Sequence, residues 1–349
     1  MTPTQLPTNN AQSGQRPTPN LLERFVRNGT WLEKQHFPPL QYAVPGILPE
    51  GYCLLAGPPK VGKSWLVANI ATACATGGHT FGCIKSPLRK VLYFALEDGD
   101  RRLQTRFRKV SPNGTIPEHV NRVLAVPSLE DLLAIARQFL KTCDQPPVIV
   151  VDTLGRISPG RTSSQSHFEA DYQLGATLQK LAQEWPGTTV LAVHHTNKGE
   201  HSDFMNSVSG TQGVTGACDA VLVLSRARGE RDAIISVSGR DLEHEAEYAM
   251  SMNDGRWELI GGSLEAARDN AQEVRRAQRE SDNEKRYGDM SRLIIQTLRA
   301  SDTPLTAKSI AEAVGIPNDK AGTYLRRLEK AGQAERLERG LYKYVYEVY

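Results

Sequence analysis

Residues 56–65 hold the side chains whose types and spacing point most directly to chemistry. Their sequence, AGPPKVGKSW, fits the pattern G-x-x-x-x-G-K-[ST], with Gly57, Gly62, Lys63 and Ser64 at the fixed positions. Glycines in such a loop let backbone N–H groups turn towards phosphates without a Cβ clash. A lysine at this position reaches the β- and γ-phosphates, and the serine hydroxyl is a ligand for Mg²⁺. The stretch therefore predicts a phosphate-binding loop, or P-loop.

The segments on either side of this loop support the prediction, against the alternative of a chance Gly-Lys-Ser turn. Residues 51–56 are a short apolar run that predicts a strand, and residues 65–75, rich in alanine, predict a buried helix. The N-terminus of that helix would point at the phosphates, where the helix dipole favours anions. The predicted nucleotide-binding residues are Gly57, Pro58, Pro59, Lys60, Val61, Gly62, Lys63, Ser64 and Trp65.

Two carboxylates follow predicted strands further along the chain. Residues 90–96 predict the second strand and are followed by Glu97, whereas residues 147–151 are apolar at every position and are followed by Asp152. Because ligands of open α/β sheets lie at the carboxyl ends of strands, both residues are candidates for chemistry. Glu97 could accept a proton from, or orient, the water that attacks the γ-phosphate, and Asp152 could hold Mg²⁺. A solvated acidic turn and a structural aspartate are the respective alternatives.

The remaining pattern predicts a doubly wound α/β domain, with a parallel or mixed sheet flanked by helices, over residues 50–262. Further strands are expected at 188–193, 220–224, 232–238, 248–253 and 257–259, and helices at 101–110, 129–141 and 172–185. The helix at 101–110 is basic, and we interpret it as a solvated face. His194 and His195 close the strand at 188–193. Adjacent strand residues face opposite ways, so one histidine, but not both, could face the γ-phosphate.

Length and composition limit the class of protein. The chain has 349 residues, 39% hydrophobic and 23% charged, which suits one large globular domain and a smaller one. A net charge of +3 means that any nucleic-acid surface is local. The five cysteines are scattered without a C-x-x-C pair, as expected for reduced thiols in a cytosolic protein. No signal peptide or long apolar run occurs, so a cytoplasmic location without membrane contact is expected.

Composition also suggests where the chain divides. Residues 1–20 are polar and predict a disordered tail, and the acids and arginines of residues 263–287 predict a charged helical linker. Between them lie a predicted N-terminal arm (21–49), with a short amphipathic helix at 21–27 and an irregular segment at 30–49, and the α/β domain (50–262). Residues 288–349 form the last predicted domain.

The last domain carries a pattern of three helices and a hairpin, which resembles a winged helix-turn-helix. The helices are expected at 290–300, 306–314 and 319–331, the third capped by Asn318, and the hairpin at 332–346. The segment 318–343 holds seven Lys or Arg residues against four acids. This excess of positive charge suits a helix in the major groove of duplex DNA and a wing on its phosphates. A protein–protein module of the same fold is the alternative.

The order of the motifs resembles that of the RecA-type ATPase superfamily. Within it, the chain is similar to the RepA-type hexameric plasmid helicases and the related DnaB- and KaiC-like proteins. The resemblance covers roughly residues 40–260 and rests on AGPPKVGKS, VLYFALED, VIVVDTL, VLAVHHTNK and SGTQGVTGACDAVLVL, in that order.

This resemblance implies ATP and Mg²⁺ as ligands and a role for each site residue. Glu97 corresponds to the hydrolytic base, Asp152 to the carboxylate that binds Mg²⁺, and Lys63 to the phosphate-binding lysine. His195 stands where the family senses the γ-phosphate, a position that DnaB-like proteins fill with glutamine.

The family also completes each site with an arginine finger from the adjacent subunit. Arg240, on the late hairpin, is the preferred candidate, and Arg226 and Arg228 are rivals. A basic residue often precedes the finger by two positions in DnaB relatives, but Ser238 stands there in this chain.

Finally, the resemblance implies a homo-oligomer, in the family a hexameric ring, that binds single-stranded DNA through pore loops. These loops correspond to residues 157–171 and 199–213, with functionless flexible loops as the alternative. The expected activity is that of an ATP-hydrolysing DNA helicase or translocase of the RepA type, acting in plasmid or phage replication. Two rival functions are an ATP-dependent DNA-bound regulator or loader that does not unwind DNA, and a KaiC-like signalling ATPase.

Overall fold

The computed structural model describes residues 22, 25–157, 167–196, 215–226, 229–242, 245–338 and 340–345, without the side chains of 167–168 and 279–289. The predictions for residues 1–20, for 199–213 and for Arg228 lie outside these residues. The chain divides into two units, Met1–Pro39 and Leu40–Tyr349. In the first unit, helix α1 (Gly29–Glu33) begins after Asn28, whose side chain accepts a hydrogen bond from the amide of Trp31 at 2.9 Å.

The second unit is built on a large mixed sheet. The strands up to residue 259 are β1 (Tyr42–Val44), β2 (Leu48–Pro49), β3 (Gly51–Gly57), β4 (His79–Thr80), β5 (Ile84–Lys85), β6 (Val91–Ala95), β7 (Val120–Val123), β8 (Val148–Asp152), β9 (Thr189–His195), β10 (Ala220–Arg226), β11 (Asp232–Gly239), β12 (Ala246–Asn253) and β13 (Arg256–Leu259). Nine of these described strands form the central sheet, in the order β13-β12-β11-β10-β3-β9-β8-β6-β7. The strands from β10 to β7 are parallel, whereas β11, β12 and β13 are antiparallel.

Helices cover both faces of this sheet. Helices α2 (Lys63–Thr76) and α3 (Asp100–Val110) pack on one face, and α4 (Leu129–Leu140) and α5 (His167–Gln183) pack on the other. Along β3, alternate residues serve alternate faces, which is why the strand reads as a continuous apolar run. The predicted fold class, an α/β domain with a mixed sheet flanked by helices, is confirmed.

The order of the parallel strands places several strand ends side by side. Strand β3, which leads into the P-loop, lies between β10 and β9, and β9 lies beside β8. The carboxyl ends of β3, β6, β8 and β9 therefore share one edge of the sheet, where open α/β sheets bind ligands.

Two predictions made from the sequence need correction. Residues 30–49 are not irregular throughout, because they contain most of α1 and the antiparallel pair β1–β2. The predicted loop 157–171 is wrong at its C-terminal end, since α5 begins at His167. Residues 158–166 of that loop lie outside the described part of the chain.

The C-terminal part of the second unit forms a smaller cluster. Helix α6 (Leu264–Arg299) is continuous through both the predicted linker and the predicted helix at 290–300. The remaining elements are β14 (Leu305–Thr306), α7 (Ala307–Val314), α8 (Asn318–Lys330), β15 (Ala334–Glu338) and β16 (Leu341–Tyr344). The three strands pair in the order β14-β16-β15. The buried residues of this cluster are Ile294, Leu298, Ile310, Leu325, Leu328, Ala334 and Tyr342.

The start of α8 differs from the prediction. The N-cap residue is Pro317, without a side-chain hydrogen bond, and Asn318 is already the first helical residue. Across the described part of the chain, none of the helices combines the length and the apolar character needed to cross a membrane.

Candidate nucleotide-binding site

The P-loop leaves β3 at Gly57 and enters α2 at Lys63. A Cβ atom at Gly57 would lie 2.6 Å from the carbonyl oxygen of Leu224 on β10, and one at Gly62 would lie 2.8 Å from Cζ2 of Trp257. Gly62 also has a φ of 113°, in the left-handed region that favours glycine. The two glycines of the motif are therefore needed for the loop to pack closely against β10 and β13.

The first turn of α2 provides an anion-binding end. Its N-cap is Gly62, which makes no side-chain capping bond, and the first turn contains no acidic residue. The free N–H groups and the positive end of the helix dipole thus favour a phosphate at this point. A cradle that excludes Cβ atoms and presents backbone N–H groups fits the phosphates of ATP.

Lys63 lies at the centre of this cradle and is 4% exposed. Its Nζ atom donates to the carbonyl oxygens of Gly57 at 2.6 Å and Pro58 at 3.0 Å, and lies 3.0 Å from Nδ1 of His195. Burial lowers the pKa of Lys63 to about 8, although the charges of Asp152 and Glu97 oppose this shift. The ammonium group is thus held in a poorly hydrated place where a phosphate would interact with it strongly.

Asp152, at the end of β8, is buried beside Ser64. Its Oδ2 accepts a hydrogen bond from the hydroxyl of Tyr93 at 2.8 Å. Burial raises the pKa of Asp152, whereas hydrogen bonds from Tyr93 and Ser64 lower it. The two predicted Mg²⁺ ligands, Ser64 and Asp152, are therefore in contact. The described residues contain no group of three or more His, Cys, Asp or Glu side chains arranged to hold a metal. One hydroxyl and one carboxylate suit Mg²⁺, which takes its other ligands from phosphates and water.

Glu97 follows β6 at the same edge of the sheet. Its Oε1 accepts a hydrogen bond from the hydroxyl of Thr153 at 3.0 Å and lies 3.6 Å from Nε of Arg156. Its Oε2 lies 3.8 Å from Nε2 of His195. The peptide bond between Asp152 and Thr153 is cis.

His195 lies beside both Lys63 and Glu97. One ring nitrogen faces Lys63 and the other faces Glu97, so the imidazole lies between the lysine and the carboxylate. His194 does not share these contacts, and burial lowers its pKa despite the charge of Asp171. Of the two histidines left open by the sequence, His195 is the one beside Lys63.

The comparisons with known proteins place this site in a family. A family model described as an AAA domain matches residues 18–201, which is more than half of the chain. The chain belongs to this AAA domain family. The match contains the P-loop, Glu97, Asp152 and His195, whereas Arg226 and Arg240 lie beyond it. A comparison with curated proteins returned no match.

The fold of this AAA domain protein is also found in a solved structure. That structure is described as a DnaB-like replicative helicase and its interactions with primase. The likeness covers 60% of this chain and 58% of that chain, at 13% sequence identity and a TM-score of 0.50. At this identity the likeness shows a shared fold, and it spans a little over half the length of that chain.

The two described arginines that are candidates for the finger lie at opposite ends of the antiparallel strand pair β10–β11. Nη2 of Arg226 donates to the carbonyl oxygen of Lys60 in the P-loop at 3.4 Å, and its guanidinium lies 5.6 Å from the centre of the Trp257 ring. Arg240 instead follows β11, with Nη2 donating to the carbonyl oxygen of Gly216 at 2.7 Å. Gly239 pairs with Ala220, which in turn pairs with Cys53 at the beginning of β3. Arg240 therefore lies near the level of Cys53 along β3, and four strand residues, about 13 Å, separate Cys53 from Gly57.

An open pocket beside the P-loop helix was not predicted from the sequence. It has a volume of about 590 Å³ and is lined by Trp65, Gly99, Arg101, Arg102, Thr105 and Arg106. The interpretation of α3 as a solvated face is wrong for Arg106, which is 8% exposed and forms an ion pair with Asp98. Its guanidinium lies 5.5 Å from the centre of the Trp65 ring. The spacing of Leu103, Phe107 and Val110 on the buried face of α3 could have placed Arg106 beside them.

Proposed function

We propose that this protein is a Mg²⁺-dependent ATPase that acts as an oligomeric DNA helicase or translocase of the RepA type. The observation that carries the ATPase proposal is the position of His195, whose ring lies between the P-loop lysine and Glu97. A polar group at this place would contact both the transferring phosphoryl group and the residue that activates water. This arrangement suits phosphoryl transfer, in which catalysis consists mainly of positioning and charge stabilisation.

Each residue of the site has a role in this proposal. Lys63 and the N–H groups of the P-loop and of the first turn of α2 bind the phosphates, and Ser64 and Asp152 hold Mg²⁺. Bound Mg²⁺ supplies neutralisation of the charge that develops on the phosphate oxygens. Glu97 accepts the proton of the attacking water, and His195 contacts the γ-phosphate.

The pocket beside Trp65 is the proposed place for the ribose and base. It adjoins the P-loop through Trp65, which directly follows Ser64. An aromatic ring and several guanidinium groups provide flat surfaces on which a nucleobase can stack. This part of the proposal adds Arg102 and Arg106 to the residues that bind ATP.

The proposed oligomer rests on Arg240. Because Arg240 lies at the edge of the sheet opposite its own P-loop, it could reach a nucleotide only in another copy of the chain. Arg226 instead lies at its own P-loop and is better placed to act within its own subunit. A homo-oligomer, in the simplest form a closed ring, would complete each site.

The proposed DNA contacts lie in two places. Single-stranded DNA would bind to the loops at 157–171 and 199–213, and duplex DNA to the C-terminal cluster, acting as a winged helix. Helix α8 and the following strands expose several basic side chains, which supports the second contact: Lys320, Arg326, Arg327, Lys330, Arg336 and Lys343. This basic surface also favours a second function, that of an ATP-dependent DNA-bound regulator or loader without unwinding activity.

The test is ATP turnover by the purified protein with and without single-stranded DNA, together with its mass in solution in the presence of ATP. We expect Mg²⁺-dependent turnover, stimulation by DNA and an oligomer of defined size. Lys63→Ala should abolish phosphate binding, and Glu97→Gln should bind ATP but hydrolyse it slowly. Full activity of the Lys63→Ala variant would contradict the site assignment.

Two further measurements separate the candidate functions. Strand displacement on a forked DNA substrate supports a helicase, whereas ATP-dependent binding to duplex DNA without displacement supports a regulator. A variant that lacks residues 288–349 should lose duplex affinity and keep ATP turnover. Unchanged duplex affinity in that variant would exclude the C-terminal cluster as the duplex-binding part.

A further inference from the structure

Thr153 makes the shortest polar contact of the Glu97 carboxylate within the part of the chain that the structure describes. Its hydroxyl donates to Oε1 at 3.0 Å, whereas Arg156 and His195 approach the carboxylate at 3.6 and 3.8 Å. We propose that Thr153 is a positioning residue that holds Glu97 in place to activate the attacking water. This inference rests on the proposed ATPase activity and extends it to a residue that acts through Glu97.

Thr153 is itself firmly held. It is 3% exposed, and it follows Asp152, which pairs with Ala95 across β8 and β6. The amide of Leu96 also donates to the carbonyl oxygen of Asp152 at 2.8 Å. The backbone positions of Thr153 and Glu97 are therefore fixed relative to each other by strand pairing. A buried β-branched side chain has few accessible rotamers, so the directions open to the hydroxyl are limited as well.

Glu97, by contrast, needs an external contact to stay in one position. Its side chain is 42% exposed, and an exposed glutamate has several accessible rotamers. The hydrogen bond from Thr153 engages Oε1 and leaves Oε2, the oxygen on the side of His195, available to accept a proton. A small displacement of a catalytic group can cost about one hundredfold in rate, so a single orienting contact has a measurable effect.

The experiment compares three substitutions in the full-length protein by steady-state ATP turnover and by binding of fluorescent ADP. Thr153→Val keeps the size of the side chain and removes the hydroxyl, and Thr153→Ser keeps the hydroxyl. The matched control is Thr72→Val, because Thr72 is similarly buried at 4% exposure and its hydroxyl lacks a hydrogen-bond partner within the described residues.

We expect Thr153→Val to lower kcat about tenfold to one hundredfold, the effect of losing a hydrogen bond to a charged group, with KM and ADP affinity within about twofold. Thr153→Ser should recover kcat to within about threefold, and Thr72→Val should match the wild type. In a Glu97→Gln background, Thr153→Val should cause no further loss, because it acts through the carboxylate.

Several outcomes would overturn the inference. A normal kcat in Thr153→Val would do so, as would a Thr153→Ser variant as slow as Thr153→Val, since the defect would then arise from packing. If the wild type hydrolyses ATP and Glu97→Gln does not, while Thr153→Val is normal, the proposed function stands and the role of Thr153 falls. A wild type that does not hydrolyse ATP would overturn both.

Discussion

Nζ of Lys63 lies 3.0 Å from Nδ1 of His195, although the two residues are 132 positions apart in the chain. The contact forms because β9 lies beside β3 in parallel register, with His195 level with Gly57. The same Lys63 atom donates to two carbonyl oxygens of the P-loop. A bound phosphate would therefore have to replace contacts that Lys63 makes within the chain, and His195 would be released towards the γ-phosphate.

This relationship predicts how His195 variants behave. His195→Ala should lower kcat about tenfold to one hundredfold, because a polar contact to the transferring phosphoryl group is lost. ADP affinity should stay within about twofold, since ADP has no γ-phosphate. His195→Gln, which restores a polar group, should retain more activity than His195→Ala. Turnover assays and ADP titrations check this, and equal kcat values for His195→Ala and the wild type would contradict it.

The lowered pKa of Lys63 predicts how nucleotide affinity depends on pH. Before nucleotide binds, the pKa of Lys63 is about 8, in an environment that includes Asp152, Glu97 and His195. Bound phosphates favour the charged form and so raise this pKa. Binding then takes up a proton above pH 8, and the affinity for ADP should fall by about tenfold between pH 7 and pH 9.

The control for this prediction is Lys63→Arg, because a guanidinium group stays charged over the whole range. Its ADP affinity, measured by calorimetry at the same pH values, should be independent of pH even if it is weaker overall. A wild-type affinity that is constant from pH 7 to pH 9 would show that Lys63 is already fully charged or fully neutral in that range.

The sequence was sufficient for the parts of the site that depend on local pattern. The P-loop has a fixed spacing, and the strands just before Glu97 and up to Asp152 are apolar runs, so their type could be predicted, and their end points to within one residue. Because the carboxyl ends of parallel strands lie at one edge of a sheet, Lys63, Glu97 and Asp152 could also be expected to lie close together. His195 could be named only with its neighbour, because a strand pattern does not say which face meets the P-loop.

Other features depend on strand order and could not be predicted. Tyr93 lies in the middle of an apolar strand and has the pattern of an ordinary core residue, yet its hydroxyl meets Asp152. Thr153 meets Glu97 only because β6 pairs with β8. The strands β1, β2, β4 and β5 have two or three residues each, too few to show a periodicity. The continuity of α6 was missed because its middle holds few large apolar residues.

The hydrogen bond from Tyr93 predicts an effect on Mg²⁺. Burial already raises the pKa of Asp152, and the Tyr93 hydroxyl counteracts this by stabilising the charged carboxylate. Tyr93→Phe should therefore raise the Mg²⁺ concentration for half-maximal ATP turnover by about tenfold, with a smaller effect on kcat at saturating Mg²⁺. The increase in the Mg²⁺ requirement should be larger at lower pH. Without the Tyr93 hydroxyl the pKa of Asp152 is raised further, so more of the carboxylate is protonated there.

A suitable control is Tyr52→Phe. Tyr52 is a buried tyrosine on the neighbouring part of the sheet, but it packs on the opposite face from Tyr93. Tyr52→Phe should therefore leave the Mg²⁺ requirement for ATP turnover unchanged. If both variants raise the Mg²⁺ requirement equally, the effect arises from the core and not from the bond to Asp152.

The positions of the two described finger candidates predict the result of mixing inactive variants. Arg240→Ala should lower kcat by about a thousandfold or more if Arg240 supplies the finger to a neighbouring copy. Lys63→Ala should be inactive because its own P-loop is damaged. In an oligomer assembled from equal amounts of both, about a quarter of the sites join an intact P-loop to an intact Arg240. Such mixtures should regain ATP turnover that neither variant shows alone.

Arg226 provides the matched control, because it contacts Lys60 of its own P-loop. A residue that acts within its own subunit cannot be supplied by a neighbour, so mixtures of Arg226→Ala and Lys63→Ala subunits should gain nothing beyond the sum of their separate activities. Recovery in this second mixture, with none in the first, would transfer the finger role from Arg240 to Arg226. It would also require Arg226 to leave Lys60 and Trp257 in the assembled oligomer.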